Sequence, residues 1–185
     1  MLILASKSPR RKELLSLITS DFDIIPAVGE ENADKALPPE KFVQVLAEEK
    51  AKEVHSSHPD DIIIGSDTVV AAEGEILGKP KDGDDAFRML KLLSGTRHSV
   101  FTGVAVIKNG KIHSFTEETK VKFFDLDDAE IQSYIDTGEP FDKAGAYGIQ
   151  DKGALLVERI EGDYYNVMGL PTGRLYRLLK ELEII

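Results

Sequence analysis

Residues 2–12 set the architecture of the chain, and they read Leu2-Ile3-Leu4-Ala5-Ser6-Lys7-Ser8-Pro9-Arg10-Arg11-Lys12. The apolar run Leu2–Ala5 is typical of a buried β-strand. Ser8 is a favourable N-cap and Pro9 is a favourable first helical residue, so we expect a helix directly after the strand, extending to about Thr19. The sequence therefore predicts a buried strand that leads straight into a helix N-terminus.

The predicted helix N-terminus has the chemistry of an anion site. Its first backbone N–H groups lack helical partners, and the positive end of the helix dipole lies at the same place. Ser6 and Ser8 add hydroxyl groups there, and Arg10 and Arg11 add positive charge beside two lysines. Phosphate is an anion that such sites bind. The alternative is a surface helix with a solvated basic first turn, in which the cations act against the dipole.

Composition limits the partners that this site can serve. The 185 residues carry a formal net charge of −10, include 42% hydrophobic and 30% charged residues, and contain no cysteine. The length suits one domain or two intimately packed lobes. No run approaches the ~18 apolar residues of a membrane span, and the negative charge argues against a nucleic-acid partner. Absence of cysteine excludes disulfides and thiolate metal sites and fits a cytoplasmic protein.

A second helix is predicted from Glu40 to about His55, after two prolines. At ~100° per residue, six apolar side chains cover one arc of this helix: Phe42, Val43, Leu46, Ala47, Ala51 and Val54. Lys50 falls in the middle of that arc, where a lysine either snorkels to solvent or meets an anion. Both alternatives stay open, and Lys50 is a candidate site residue.

A polar triplet interrupts the next apolar segment. Asp61–Gly65 is predicted to form a buried strand, Ser66-Asp67-Thr68 follows it, and Val69–Ala71 resumes an extended run. An aspartate at this place either anchors a β-bulge or is a functional carboxylate at the carboxyl end of a strand, where open α/β sheets bind ligands. We favour the functional alternative for Asp67.

Two neighbouring features complete the candidate site. Glu73-Gly74-Glu75 predicts a hairpin tip, and the returning strand would bring Lys79 close to Asp67. Glu30-Glu31 follows a short predicted strand, Phe22–Pro26. Such a pair is either a solvated loop or includes a Mg²⁺ ligand, because this ion favours one or two carboxylates together with substrate phosphates.

The remaining sequence predicts further helices and strands. They are a helix Asp84–Leu93, strands of about Ser99–Lys108 and Lys111–Phe124 joined by Asn109-Gly110, a helix that Asp127 caps and Gly138 ends, strands Ala154–Ile160 and Tyr164–Met168, and a final helix from Pro171. Residues 138–150 contain three glycines and two alanines, which indicates close backbone packing, ligand approach or a plain surface loop. Gln150 both donates and accepts hydrogen bonds, as recognition of a pyrimidine edge requires.

Four blocks of this sequence resemble the Maf family. They are Ala5-Ser6-Lys7-Ser8-Pro9-Arg10-Arg11, Gly65-Ser66-Asp67-Thr68-Val69-Val70, Gly78-Lys79-Pro80, and Gly138-Glu139-Pro140 with residues 142–150. The blocks stand in family order over nearly the whole chain. The ending Tyr147-Gly148-Ile149-Gln150 is similar to the subgroup that hydrolyses dTTP and UTP, rather than to the one that acts on 7-methyl-GTP.

The resemblance implies a fold, an activity and partners. The fold would be α/β, with a mixed elongated sheet flanked by helices and two lobes around a central cleft, as in inosine-triphosphate pyrophosphatases. The activity would be hydrolysis of dTTP, UTP and modified pyrimidine nucleotides to a monophosphate and pyrophosphate, in a homodimer that uses a divalent cation, Mg²⁺ or Mn²⁺. The family is also linked to arrest of cell division. The alternative function is a non-catalytic, nucleotide-binding regulator of septum formation.

The resemblance also assigns roles by position. Asp67 would be the catalytic carboxylate, and with Glu31 it would hold the cation. Substrate preference would depend on Arg10, Thr68 and Gln150. Substrate phosphates would be bound by Ser6, Ser8, Arg11, Lys50 and Lys79. Ser66 stands where the family often has alanine.

Overall fold

The computed structural model describes residues 1–29, 32–34 and 36–185. The strands among them are β1 Leu2–Leu4, β2 Asp23–Ile24, β3 Ile62–Ala72, β4 Glu75–Leu77, β5 Arg97–Lys108, β6 Lys111–Phe123 and β7 Val157–Glu161. The α-helices are α1 Pro9–Ser16, α2 Pro39–Ser57, α3 Gly83–Leu93, α4 Asp128–Ile135, α5 Tyr164–Met168 and α6 Thr172–Glu181. Short 3-10 helices cover Glu139–Asp142, Ala144–Ala146 and Asp151–Leu155.

One mixed sheet contains all seven strands of the described residues. Its order is β2-β1-β3-β5-β6-β7, and β4 pairs with β3 outside this path. β1 is parallel to both β2 and β3, whereas β4 is antiparallel to β3 and β7 is antiparallel to β6. Helices flank this sheet, so the predicted mixed α/β fold class is confirmed.

The junction between β1 and α1 forms as the sequence predicts. The Ser8 hydroxyl accepts a hydrogen bond from the Arg11 N–H, and Pro9 is the first helical residue. α1 nevertheless ends at Ser16 and not near Thr19. The N–H of Ile18 bonds to the carbonyl oxygen of Leu15 at 2.9 Å, so the chain tightens into a turn there.

The chain forms two compact units. The first comprises Met1–Thr68, Thr102–Glu117 and Gly169–Ile185, and the second comprises Val69–Phe101 and Glu118–Met168. The single-domain organisation and the cleft that the resemblance implies stay predictions.

In the first unit, α2 packs closely against β3. All six residues of its predicted apolar arc are buried: Phe42, Val43, Leu46, Ala47, Ala51 and Val54. Gly65 of β3 makes this approach possible, because a Cβ there would lie 2.2 Å from the carbonyl oxygen of Ala47. A glycine is therefore required where the helix backbone meets the strand.

In the second unit, α3 buries the apolar stripe expected of it: Ala86, Met89, Leu90 and Leu93. Asp127 caps α4 through a capping box with Glu130, also as expected. Residues 138–150 pack tightly: Gly145 has φ +68°, and a Cβ there would lie 2.7 Å from Val70 Cγ2. These contacts favour close backbone packing over a plain surface loop.

Three of the strands expected from the sequence differ in the structure. β3 runs without a break through Ser66-Asp67-Thr68, so the expected pair of strands is one strand. The expected strand Ala154–Ile160 is a 3-10 helix Asp151–Leu155 followed by β7.

The predicted strand at Tyr164–Met168 is wrong, because this segment is α5. The side chain of Asp163 accepts a hydrogen bond from the Tyr165 N–H at 2.8 Å and so caps the turn. The buried Asn166 side chain donates to the carbonyl oxygen of Val100 and to the Thr119 hydroxyl, at 3.1 and 3.0 Å. These polar contacts outweigh the strand preference of the apolar and aromatic residues.

Among the described helices, none combines the length and the apolar composition that a bilayer crossing requires.

Candidate active site

Lys50 and Asp67 form an ion pair in the first unit. Lys50 Nζ donates a hydrogen bond to Asp67 Oδ1, which joins α2 to β3. Only 21% of the Lys50 side chain and 14% of the Asp67 side chain are exposed. Lys50 therefore meets an anion on the apolar face of its helix, and that anion is a carboxylate of the chain itself. Limited exposure strengthens the pair, because solvent screens it weakly.

Arg11 connects three segments of the first unit. Its Nε donates to the Gly169 carbonyl oxygen at 2.8 Å, Nη2 donates to Thr68 Oγ1 at 3.0 Å, and Nη1 lies 3.4 Å from Ser6 Oγ. The planar guanidinium group suits this arrangement, because its five donors point in fixed directions. Arg11 thus holds the loop after β1 against β3 and against the chain before α6. Its role as a phosphate ligand stays a prediction.

A set of hydroxyl groups surrounds this arginine. Thr68 Oγ1 lies 2.9 Å from Thr102 Oγ1, and Ser66 Oγ donates to the Gly169 carbonyl oxygen at 3.3 Å. The Ser6 hydroxyl, which is buried, accepts a hydrogen bond from the Ser8 N–H at 3.2 Å. The structure therefore shows an ordered polar network around Arg11.

Thr102 and Gly169 are parts of this network that the sequence analysis did not identify. Thr102 is fully buried on β5, where nothing in the local sequence distinguishes it from a core threonine. Gly169 has φ +116°, and a Cβ there would lie 3.6 Å from both Arg11 Nε and Thr68 Oγ1. The only local signal at this position is a glycine two residues before Pro171, and nothing in it points to the site.

The other predicted site residues are distributed as follows. Arg10 is half-buried in the first turn of α1. Lys79 is exposed after β4, and Gln150 is half-buried directly before a 3-10 helix, both in the second unit. The approach of Lys79 to Asp67 stays a prediction. Glu31, the predicted metal ligand, lies outside the described residues, as does Glu30.

The segment that carries Gln150 is anchored within the second unit. The Tyr134 hydroxyl accepts a hydrogen bond from the Gly148 N–H at 3.2 Å, and burial raises the pKa of this tyrosine to about 12. The Tyr147 hydroxyl lies 2.7 Å from His98 Nε2, and burial raises the pKa of Tyr147 as well. Burial lowers the pKa of His98 to about 4, so the imidazole is neutral at pH 7.

The donor atoms of the first unit fit a hard divalent cation. Mg²⁺ prefers oxygen ligands and commonly uses one or two carboxylates together with water and substrate phosphates. Asp67 supplies one carboxylate, which Lys50 also contacts. Within residues 1–29, 32–34 and 36–185, no three acidic or histidine side chains group as a complete metal site. This donor set therefore suits a cation that arrives with the phosphates of a ligand.

Comparison with known proteins identifies the family. The family model described as Maf-like protein matches residues 1–182. The dTTP/UTP pyrophosphatase of Bacillus velezensis is 51% identical over 183 residues, which are 99% of this chain and 97% of that protein. The dTTP/UTP pyrophosphatase of Carboxydothermus hydrogenoformans is 54% identical over 180 residues, or 96% of each chain.

A solved structure supports the fold independently. The HAM1 protein from Coxiella burnetii aligns with a TM-score of 0.56 and 14% sequence identity, over 97% of this chain and 98% of that one. At this identity the likeness concerns the fold alone. This chain therefore belongs to the family of Maf-like proteins, as shown by the family match over residues 1–182 and by the two relatives that are 51% and 54% identical to it.

Proposed function

We propose that the protein is a nucleoside triphosphate pyrophosphatase that hydrolyses dTTP and UTP, and modified pyrimidine nucleotides, to the nucleoside monophosphate and pyrophosphate. The relatives at 51% and 54% identity carry the name dTTP/UTP pyrophosphatase. The structural observation that carries the proposal is the partly buried ion pair of Lys50 with Asp67, whose neighbour along β3, Thr68, contacts Arg11.

In this proposal Asp67 accepts a proton from the attacking water. Lys50 holds the carboxylate in one orientation through the hydrogen bond to Oδ1. A fixed carboxylate next to the reacting water is the usual arrangement of a general base. The 14% exposure of the Asp67 side chain limits competition from bulk water.

Phosphate charge is neutralised by the start of α1 and by basic side chains. In this proposal the start of α1, with the Ser6 and Ser8 hydroxyls and Arg11, faces the phosphates, because the positive end of the helix dipole favours an anion there. Lys50 and Lys79 would add positive charge as the pyrophosphate departs. A divalent cation, Mg²⁺ or Mn²⁺, held by Asp67 and Glu31 would supply further charge neutralisation at the phosphate oxygens.

Substrate preference depends, in this proposal, on Arg10, Thr68 and Gln150. Arg11 and Thr102 both contact the Thr68 hydroxyl, so the position of this group is fixed before a ligand binds. The Gln150 side chain carries both a donor and an acceptor, which matches the adjacent N–H and carbonyl groups of uracil and thymine.

The biological setting follows from the resemblance. We propose a cytoplasmic homodimer that keeps modified pyrimidine nucleotides out of nucleic acids, with a link to arrest of cell division. The formal net charge of −10 supports small anionic nucleotides over nucleic acid as the partner, because a nucleic acid surface attracts net positive faces.

A panel of nucleoside triphosphates tests the proposal. Pyrophosphate and inorganic phosphate are measured separately for dTTP, UTP, dCTP, CTP, dATP and dGTP, with Mg²⁺ and with Mn²⁺. We expect pyrophosphate from dTTP and UTP, without inorganic phosphate. Tight nucleotide binding without release of either product would instead support the regulator of septum formation.

A further inference from the structure

Lys50 and Asp67 stand on two segments whose backbones are in direct contact. A Cβ at Gly65, two residues before Asp67, would lie 2.2 Å from the Ala47 carbonyl oxygen and 2.9 Å from the Ala51 nitrogen. These two alanines lie on either side of Lys50 along α2. The attachment point of the lysine side chain is therefore fixed relative to Asp67, because α2 can neither move closer to β3 nor turn there without a clash.

The charges of the pair cancel. Lys50 Nζ donates to Asp67 Oδ1, and an ammonium group has three protons, so this contact does not depend on what else Lys50 contacts. Solvent screens the two charges weakly, because the side chains are only 21% and 14% exposed. A divalent cation that approaches Asp67 is consequently attracted by the carboxylate and repelled by the ammonium group.

Two other carboxylates of α2 hold the chain that follows β2. Glu53 Oε1 accepts a hydrogen bond from the Val28 N–H at 2.7 Å, and Glu49 Oε2 accepts one from the Asn32 N–H at 3.3 Å. In the part of the chain that the structure describes, no three acidic or histidine side chains group as a metal site. The described residues therefore give Asp67 no set of carboxylates that would outweigh the charge of the lysine.

We propose that Lys50 is a built-in counter-ion of Asp67, which keeps a divalent cation from binding there in the nucleotide-free protein and makes cation binding depend on the phosphates of the substrate. This inference rests on the proposed function, in which Asp67 holds Mg²⁺ or Mn²⁺. A triphosphate carries several negative charges, so it attracts the cation and the Lys50 ammonium group together. The repulsion that opposes cation binding is then outweighed.

This device has two consequences for the site. Because binding free energies are linked, the factor by which the nucleotide tightens cation binding equals the factor by which the cation tightens nucleotide binding. The nucleoside monophosphate carries fewer negative charges than the triphosphate, so Lys50 favours departure of the cation after hydrolysis. Lys50 thus restricts the loaded state of the site to the time when a triphosphate is bound.

The test measures Mn²⁺ binding to the nucleotide-free protein, followed by the electron paramagnetic resonance signal of unbound Mn²⁺. We expect Lys50→Met to lower the Kd for Mn²⁺ about tenfold or more, because a positive charge next to the carboxylate is removed. The double variant Lys50→Met/Asp67→Asn should lose this gain, which locates it at Asp67. Mn²⁺ should also raise the Tm of Lys50→Met more than the Tm of the wild-type protein, since a ligand stabilises the state that binds it.

Lys52→Met is the matched control. It removes the same charge from the same helix, but Lys52 is 54% exposed and lies 3.6 Å from Glu48. Solvent screens such a charge strongly, so we expect the Kd for Mn²⁺ to stay at the wild-type value. An equal decrease of Kd in the two lysine variants would reduce the effect to net charge and overturn the inference.

An unchanged or raised Kd for Mn²⁺ in Lys50→Met also overturns the inference, as does a gain that persists in the double variant. These outcomes leave the proposed function intact if the wild-type protein releases pyrophosphate from dTTP. Conversely, if no triphosphate is hydrolysed and Lys50→Met still gains Mn²⁺ affinity through Asp67, the proposed function fails and the role of Lys50 as a counter-ion stands.

Discussion

Lys50 of α2 donates a hydrogen bond to Asp67 of β3, and both side chains are largely buried in the first unit. This pair explains why a lysine occupies the centre of an apolar helix face. The same contact holds the Asp67 carboxylate in one orientation.

Loss of the Lys50 ammonium group should reduce turnover. We expect Lys50→Met, which keeps an unbranched apolar chain, to lower kcat for dTTP by about tenfold or more, because the carboxylate loses its orienting donor and the phosphates lose a cation. Steady-state pyrophosphate release measures the effect. Lys52→Met is the matched control, since Lys52 lies on the same helix with 54% exposure and pairs weakly with Glu48 at 3.6 Å. Equal rates in the two variants would remove Lys50 from the mechanism.

The close approach of α2 to β3 leaves no space for a side chain at Gly65. We expect Gly65→Ala to destabilise the protein by about 1–3 kcal/mol, the usual cost of overpacking, because the new Cβ meets the Ala47 carbonyl oxygen. The helix must move to relieve this clash, so the contact between Lys50 and Asp67 should weaken and kcat should fall as well. Urea denaturation and pyrophosphate release measure the two effects.

Gly173→Ala provides the comparison for that experiment. A Cβ at Gly173, in the first turn of α6, meets no atom within 4 Å. We expect unchanged or slightly raised stability there, because alanine restricts the unfolded chain at no steric cost. A Gly65→Ala protein as stable and as active as the Gly173→Ala protein would contradict the packing account.

His98 should make the stability of the protein depend on pH. Burial depresses its pKa from 6.5 to about 4 in the folded state, so the unfolded chain takes up the proton first as pH falls. The stabilising contribution is therefore complete above pH 6.5 and is lost as pH decreases from 6.5 toward 4. Between pH 7.5 and pH 5 the loss should be roughly 2 kcal/mol.

Denaturant titrations at both pH values measure this contribution. Carboxylates also titrate in this range, so the informative quantity is the difference between the wild-type protein and His98→Gln, which keeps a hydrogen-bonding group for Tyr147. We expect the variant to lose less stability on acidification than the wild type. If the free energy of unfolding depends on pH identically in the two proteins, His98 is not the source of that dependence.

Local signals in the sequence predicted most of the regular structure. Ser8 and Pro9 start α1, the six-residue apolar arc of α2 is buried, and Asn109-Gly110 joins β5 to β6 with positive φ at both residues. Each of these patterns acts over a few residues, where chain geometry alone relates sequence to structure. The α5 segment was mispredicted because its conformation depends on Asn166 reaching Val100 and Thr119, which lie far away along the chain.

The candidate site was predictable only in part for the same reason. The position of Lys50 on its helix left open whether it snorkels or meets an anion, because the choice depends on how α2 lies against β3. The contact between Arg11 and Gly169 joins residues 158 positions apart, and the Thr68–Thr102 contact depends on how β3 and β5 lie in the sheet. No local pattern encodes such long-range contacts.

The most direct test of the central claim is the rate of pyrophosphate release from dTTP by Asp67→Asn beside the wild-type protein, under identical metal and nucleotide concentrations. Asparagine preserves the shape of the side chain but removes its charge and its capacity to accept a proton from water. The account predicts a rate at least ~10²-fold lower, with a cooperative thermal transition that shows a folded protein. A folded Asp67→Asn protein with near wild-type turnover would contradict it.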